Sequence, residues 1–143
     1  DALYAGPQRR ALETAAFLSR TVGRAPHIHP DLCECGGLGE HPGLTRAQIR
    51  EAWPDATVDD AVGEEGWWRG GESSTDEALF HARAIRAAAW LTARHHDAGE
   101  HVAVVTHGRF GSAPTGALLG PEPAGYNRCS LDNGGIPQLD WAP

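Results

Sequence analysis

Apolar and polar positions follow one another in blocks along this 143-residue chain, and the blocks predict strands and helices in turn. A short apolar run at residues 2–5 precedes apolar positions at helical spacing from Ala11 to Leu18. The run at residues 102–106 is continuously apolar and β-branched, which favours a strand buried on both faces. The whole pattern predicts strands at residues 2–5, 27–29, 102–106 and 136–141, and helices over residues 8–22, 45–53, 74–96 and 110–119.

Capping signals locate the ends of these helices. Pro7 suits the first position of the first helix, where its missing N–H costs nothing. Thr45 is placed to cap the short helix, and Ser74 and Glu77 have the spacing of a capping box before the long one. Residues 55–71 have poor periodicity with many acidic residues and glycines, which predicts an excursion over the surface.

Strands that alternate with helices predict an α/β fold with a largely parallel sheet, in a single domain over residues 1–143. In an open α/β sheet, ligands bind beyond the carboxyl ends of the strands. The residues that directly follow the strands at 2–5 and 102–106 are therefore the first place to look for chemistry.

Composition and charge exclude several partners. The net charge of −7 argues against nucleic acid, whose phosphate backbone is bound by clustered cations. No apolar run approaches the roughly 20 residues needed to cross a bilayer, so no membrane partner is predicted. Cys33, Cys35 and Cys129 make an odd number of cysteines, which suits a reducing compartment better than a disulfide framework. A cytoplasmic location follows as the expectation.

Two arginines follow the first strand. Arg9 and Arg10 fall in the first turn of the predicted helix, facing the positive end of its dipole, which is unfavourable by roughly 0.3–1 kcal/mol per charge. An anion bound at this helix end would reverse the argument, because amides and guanidinium would then converge on it. The alternative is that Glu13 or solvent screens both charges.

Two further residues are candidates for proton transfer or charge stabilisation. His107 follows the most strongly predicted strand, where a histidine can act as acid, base, nucleophile or cationic stabiliser. Its alternative role is to cap the strand through a backbone carbonyl. Glu34 lies in a glycine-rich loop and can be a general acid if burial keeps it protonated. Its alternative is an ordinary solvated carboxylate.

Taken in order, these stretches resemble the signatures of the histidine phosphatase superfamily, which includes the phosphoglycerate mutases. Residues 2–15 resemble a strand, a Ser-Pro turn and an Arg-Ala-x-x-Thr-Ala helix, and residues 104–108 resemble the motif of the second histidine. Residues 32–34, with the later Gly43-Leu-Thr45, resemble the Leu-x-Glu loop. The remaining matches are Gly71-Glu-Ser73 followed by Arg83, Leu131-Asp-Asn-Gly134, and Leu139-Asp-Trp141.

The resemblance implies a phosphoglycerate mutase-like three-layer α/β/α sandwich. It also implies an enzyme of the histidine acid phosphatase type, which hydrolyses phosphate monoesters through a phosphohistidine intermediate. Arg10 falls on the phosphate-binding arginine, Glu34 on the proton donor, and His107 on the second catalytic histidine, which also binds phosphate. No metal and no other cofactor is implied. The implied partner is a small-molecule phosphate ester, and a homodimer is left open.

The sequence also departs from the family pattern. Gly6 stands where a serine is frequent, Gln8 stands where leucine is usual, and the loop after Glu34 is one residue longer than the common form. The Arg-His-Gly tripeptide that carries the nucleophilic histidine is absent, and Arg94-His95-His96 lies late in a helix. The expectation is therefore a truncated domain that lacks the N-terminal strand.

A substrate lid is predicted within the excursion. Trp67, Trp68 and Arg69 are placed to cover the leaving group, and the alternative is that the tryptophans pack the excursion against the body of the domain.

Three other functions stay open at this point. One is a phosphotransferase of the phosphoglycerate mutase type, and another is a non-catalytic relic that keeps the phosphate pocket without the nucleophile. The third is a small zinc-binding module, because five possible ligands fall close together: His27, His29, Cys33, Cys35 and His41.

Overall fold

A four-stranded parallel sheet forms the centre of the computed structural model, which describes residues 1–73, 75–95, 99–119, 132 and 134–140. Ala5 pairs with Ile28 on one side and with Val105 on the other, so the carboxyl ends of three strands lie side by side. The strands are β1 (Ala2–Ala5), β2 (Pro26–Ile28), β3 (Thr57–Val58) and β4 (Val102–Val105), in the order β3-β2-β1-β4.

Helices connect the strands and cover the sheet. They are α1 (Arg9–Val22), α2 (Arg46–Ala52), α3 (Glu77–Arg94) and α4 (Gly108–Leu119), with a 3₁₀ turn at Pro30–Leu32 after β2. None of the helices in the described part of the chain combines the length and the apolarity that a bilayer-spanning segment needs.

Side chains of β1 alternate between two apolar layers. Tyr4 packs on one side with α3 and α4, and Ala5 packs on the other with α1 and α2. This alternation follows from the two-residue period of a strand. The predicted α/β fold with its parallel sheet and layered helices is therefore confirmed. The main side chains of the two layers are Phe80, Ala84, Leu91 and Phe110 on the first side, and Leu12, Ala15, Ile28 and Ile49 on the second.

The prediction that β4 is buried on both faces is wrong. β4 is the last strand at one edge of the described sheet, and Ala103 and Val104 are exposed there. A short apolar run predicts a strand, but it does not say whether that strand is central or at an edge.

The excursion over residues 55–71 is also more ordered than its composition predicts. Its start forms β3, which pairs with β2, and Val58, Val62 and Trp67 are buried against the layer of α1 and α2. The poor periodicity reflects single buried side chains separated by turns, a pattern that no helix or long strand produces.

The cap of α2 matches the prediction, whereas the starts of α1, α3 and α4 differ from it. α1 begins at Arg9 with Gln8 as its N-cap residue, so Pro7 lies before the helix rather than in its first turn. α2 has the predicted cap, a complete capping box in which Thr45 accepts from the amide of Gln48. α3 is capped by Asp76, which accepts from the amide of Leu79.

The predictions near the end of the chain are tested only in part. Ser74, His96, Leu131, Asn133 and Trp141 lie outside the described residues. A turn is present where predicted, since the amide of Gly135 donates to the carbonyl of Asp132 at 2.9 Å. The strand predicted at residues 136–141 is not formed over its described part, residues 136–140, where Ile136 is 93% exposed. An apolar side chain that faces solvent gains little free energy when its segment pairs as a strand.

Candidate phosphate site

Arg10 and His107 meet at the carboxyl edge of the sheet. β1 and β4 are adjacent and parallel, so the helix that follows β1 and the residue that follows β4 emerge next to each other. Arg10 Nε donates a hydrogen bond to His107 Nδ1 at 3.0 Å. Arg10 is otherwise exposed, whereas His107 is 7% exposed. The strand register therefore joins two residues that lie 97 positions apart.

This hydrogen bond decides where His107 carries its proton. A guanidinium can only donate, so Nδ1 is the acceptor and the neutral ring carries its hydrogen on Nε2. Nε2 is a buried side-chain atom with no hydrogen-bond partner, and it stands alone in this respect among the described residues. Since a buried donor without an acceptor costs free energy, a ligand oxygen at Nε2 would be stabilising.

The pKa of His107 is lowered to about 4, chiefly by burial and also by the positive charge of Arg10, while Glu34 opposes the shift. The His107 ring is therefore neutral at pH 7. A phosphate group bound at Arg10 would add negative charge beside the ring and raise its pKa, so that a histidinium becomes easier to form.

The side chain of Glu34 contacts the first turn of α4. Its Oε1 accepts from the amide of Phe110 at 2.9 Å and from the amide of Cys35 at 2.9 Å. The first amides of a helix have no partner within the helix, and they carry the positive end of its dipole. The half-buried carboxyl group is thereby held near enough to His107 to influence its pKa.

Gln8 was not predicted as a site residue, yet its side chain bonds to the loop that carries Glu34, here called the Glu34 loop. Gln8 is 5% exposed and its Oε1 accepts from the amide of Glu34 at 2.9 Å. Its Nε2 donates to the carbonyl of Gly37 at 3.4 Å. A leucine, usual in the family at this position, could make neither bond. In the sequence, the one signal for this role was that glutamine stands at position 8 where leucine is usual.

A buried ion pair supports the same loop from the other side. Arg83 donates to Glu72 at 2.7 and 2.8 Å, and the two side chains are 5% and 7% exposed. Arg83 also donates to the carbonyls of Asp31 and Cys33, each at 2.8 Å, and to that of Glu34 at 3.2 Å. Removing one partner of a buried pair typically costs about 3–5 kcal/mol. The match of Gly71-Glu-Ser73 and Arg83 to the family pattern located these residues but did not predict that they hold Glu34.

Gly6 leaves no room for a side chain. A Cβ at this position would lie 2.5 Å from the carbonyl oxygen of Leu32 and 3.5 Å from His107 Nε2. The backbone after β1 thus packs directly against the loop before Glu34. The serine that is frequent here in the family would require the Leu32 backbone to move, which gives a physical reason for this departure.

The model of the histidine phosphatase superfamily (branch 1) matches residues 1–143. The chain belongs to this superfamily. No curated protein matches the sequence. Membership supports a phosphatase- or mutase-like function in general terms, and it agrees with the resemblance of the motifs around Arg10 and His107.

The three predicted lid residues of this histidine phosphatase superfamily domain differ in how deeply they are buried. Trp67 is 4% exposed within the layer of α1 and α2, so it fits the packing alternative better than a mobile cover. Trp68 is half-buried and its Nε1 donates to the carbonyl of Gly39 at 2.7 Å. Arg69 is exposed.

The alternative zinc site is not assembled. No group of three or more His, Cys, Asp or Glu within the described ranges is arranged to hold a metal ion, and all five proposed zinc ligands lie within those ranges. Burial also raises the pKa of the Cys33 thiol to about 12, which disfavours the thiolate that zinc requires.

Proposed function

We propose that this domain acts in the hydrolysis of phosphate monoesters, with Arg10, His107 and Glu34 as its phosphate-handling residues. One observation carries the proposal: His107 Nε2–H is a buried donor without an acceptor, next to an exposed guanidinium and a carboxyl group. A phosphoryl group has several anionic oxygens and can satisfy both donors at once.

Each residue has a distinct part in the proposed reaction. The Arg10 guanidinium binds phosphoryl oxygens and neutralises their charge, and His107 donates from Nε2 to another oxygen as charge develops in the transition state. As a nucleophilic histidine forms its bond to phosphorus and the ester P–O bond breaks, Glu34 gives a proton to the leaving alcohol oxygen. It later takes a proton from the water that attacks the phosphohistidine and releases phosphate.

Hydrolysis through a phosphohistidine needs a second histidine as nucleophile. His107 is poorly suited to this part, because its Nδ1 lone pair accepts from Arg10 and its Nε2 carries hydrogen. Since His107 is not assigned as the nucleophile, the phosphate-binding relic, which needs none, is the second candidate. Transfer to an acceptor alcohol, as in a mutase, would use the same three residues.

The test compares turnover with binding. Hydrolysis of p-nitrophenyl phosphate is measured for the wild type, Arg10→Ala and His107→Ala, with Arg20→Ala as control, since Arg20 is exposed at the far end of α1. Whatever turnover the wild type shows should fall about 10²-fold or more in the first two variants and stay unchanged in the control.

Binding of inorganic phosphate, followed by calorimetry, separates the candidates. Phosphate binding without turnover in the wild type would refute hydrolysis by this chain and support the relic. Full activity in His107→Ala would exclude the proposed site.

A further inference from the structure

A cleft of about 450 Å³ opens beside Arg10, between the start of α1 and the loop over residues 38–44. Pro7, Leu38, Leu44 and Trp67 provide apolar surface along it, and His41 lies among them. Because Arg10 belongs to both the cleft and the phosphate site, a phosphate bound there would direct the rest of its ester into this space.

The outer wall of the cleft is held in place by the two tryptophans. The loop crosses Trp67 so closely at Gly43 that a Cβ there would lie 2.2 Å from Trp67 Nε1. Gly43 also has a φ of 76°, which favours glycine. Trp68 fixes the carbonyl of Gly39. Leu38, which also lines the cleft, is 38% exposed although it is large and apolar.

Charged side chains of both signs line the cleft. Arg9, Arg10 and Glu13, all near the start of α1, are among its lining residues. Beside these charges lies the apolar wall formed by the residues named above. Burying an ionised group against such a wall is unfavourable, whereas an apolar group gains by leaving water.

A second hollow, of about 640 Å³, is less suited to an ester of phosphate. Four glycines line it, and the charged side chain among its lining residues, Glu72, is already paired with Arg83, so the lining offers no cation for a phosphate.

We propose that the cleft beside Arg10 binds the alcohol part of the substrate, and that this part is an apolar or aromatic group. The inference rests on the proposed phosphate site at Arg10 and His107.

The experiment uses non-hydrolysable ligands, so that it does not depend on turnover. Binding of phenylphosphonate and of methylphosphonate to the purified chain is measured by calorimetry. Both present the same anion to Arg10, and they differ in the group that enters the cleft. We expect phenylphosphonate to bind about tenfold or more tightly, since a buried phenyl ring removes much more apolar surface from water than a methyl group.

Two leucine variants locate the phenyl group. Leu38→Asn should weaken phenylphosphonate by about three- to tenfold and leave methylphosphonate unchanged. Leu79→Asn is the matched control, because Leu79 is an exposed leucine on α3, 48% exposed and absent from the cleft lining. Arg10→Ala should abolish binding of both ligands.

The outcomes separate the two proposals. Failure of both phosphonates to bind would overturn the phosphate site itself. Equal affinity for the two ligands, or a phenyl preference that Leu38→Asn does not reduce, would overturn the assignment of the cleft while the phosphate site stands.

Discussion

His95 and His107 are both buried histidines, but their ring nitrogens differ in hydrogen bonding. His95 Nε2 accepts from the Tyr4 hydroxyl at 2.7 Å, and its Nδ1 lies 3.3 Å from Glu100 Oε2, to which it donates. His107 has a partner at Nδ1 alone, and its buried Nε2 has none. The first ring completes a chain of hydrogen bonds, and the second leaves one donor unused.

The surroundings of the two rings differ in the same way. His95 belongs to a group of rings on the α3 side of the sheet, in which Tyr4 packs edge-on against both Trp90 and His95. His27 and His29 in that region lie within 3.4 and 3.9 Å of Asp59. His107 instead has an exposed arginine beside it, where solvent and ligands have access. A buried ring whose nitrogens are both hydrogen-bonded stabilises the fold. A ring with one unpaired nitrogen can still bond to a ligand.

The largest effect that distinguishes the two rings is expected in the pH dependence of stability. His107 has a pKa of about 4 in the folded chain and about 6.5 when unfolded, so the unfolded state binds more protons between these values. Stability is therefore complete above pH 6.5 and falls as the pH is lowered towards 4, by up to about 3 kcal/mol. The measurement is urea unfolding of the wild type and His107→Gln across this range.

The quantity to compare is the difference in unfolding free energy between the wild type and His107→Gln at each pH. Burial also lowers the pKa of His29, so both proteins lose additional stability as the pH falls. Because this loss is the same in the wild type and in His107→Gln, it cancels in the difference between them. Parallel stability curves for wild type and His107→Gln would show that His107 does not titrate as proposed.

A smaller effect is expected from removing the partnered ring. His95→Leu leaves the Tyr4 hydroxyl, in a side chain that is 7% exposed, without its acceptor. An unsatisfied buried group costs about 1–3 kcal/mol, and we expect a loss in the free energy of unfolding of this size. His101→Leu is the control, since the His101 side chain is 92% exposed. If both variants melt alike, the Tyr4–His95 bond contributes nothing to stability.

The smallest change in stability is expected from the same substitution at His107. His107→Leu removes a donor that is already unsatisfied, and the freed Arg10 can turn to solvent. The free energy of unfolding should therefore stay within about 1 kcal/mol of the wild type at pH 7. Phosphate binding, measured on the same sample, should be lost. A destabilisation as large as that of His95→Leu would mean that Nε2 has a stabilising partner in solution.

Much of the fold was predictable because local periodicity is strong where helices and strands bury one face. The helix from Arg9 to Val22 and the strand from Val102 to Val105 follow from apolar spacing, and the Thr45 cap follows from the residue types. The predictions failed where burial depends on neighbours distant in sequence. The apolar run of β4 lies at a sheet edge, and the irregular segment before Trp67 packs into a core layer.

For the site, the motifs in the sequence determined which residue types follow which strands, and therefore identified Arg10, Glu34 and His107 as candidates. Only the tertiary structure determined how they are connected. The strand register joins Arg10 to His107, and Gln8 and Arg83 reach the Glu34 loop from positions 26 and 49 residues away. Hydrogen bonds depend on distance and direction in space, and the order of residues along a chain specifies neither until the sheet has formed.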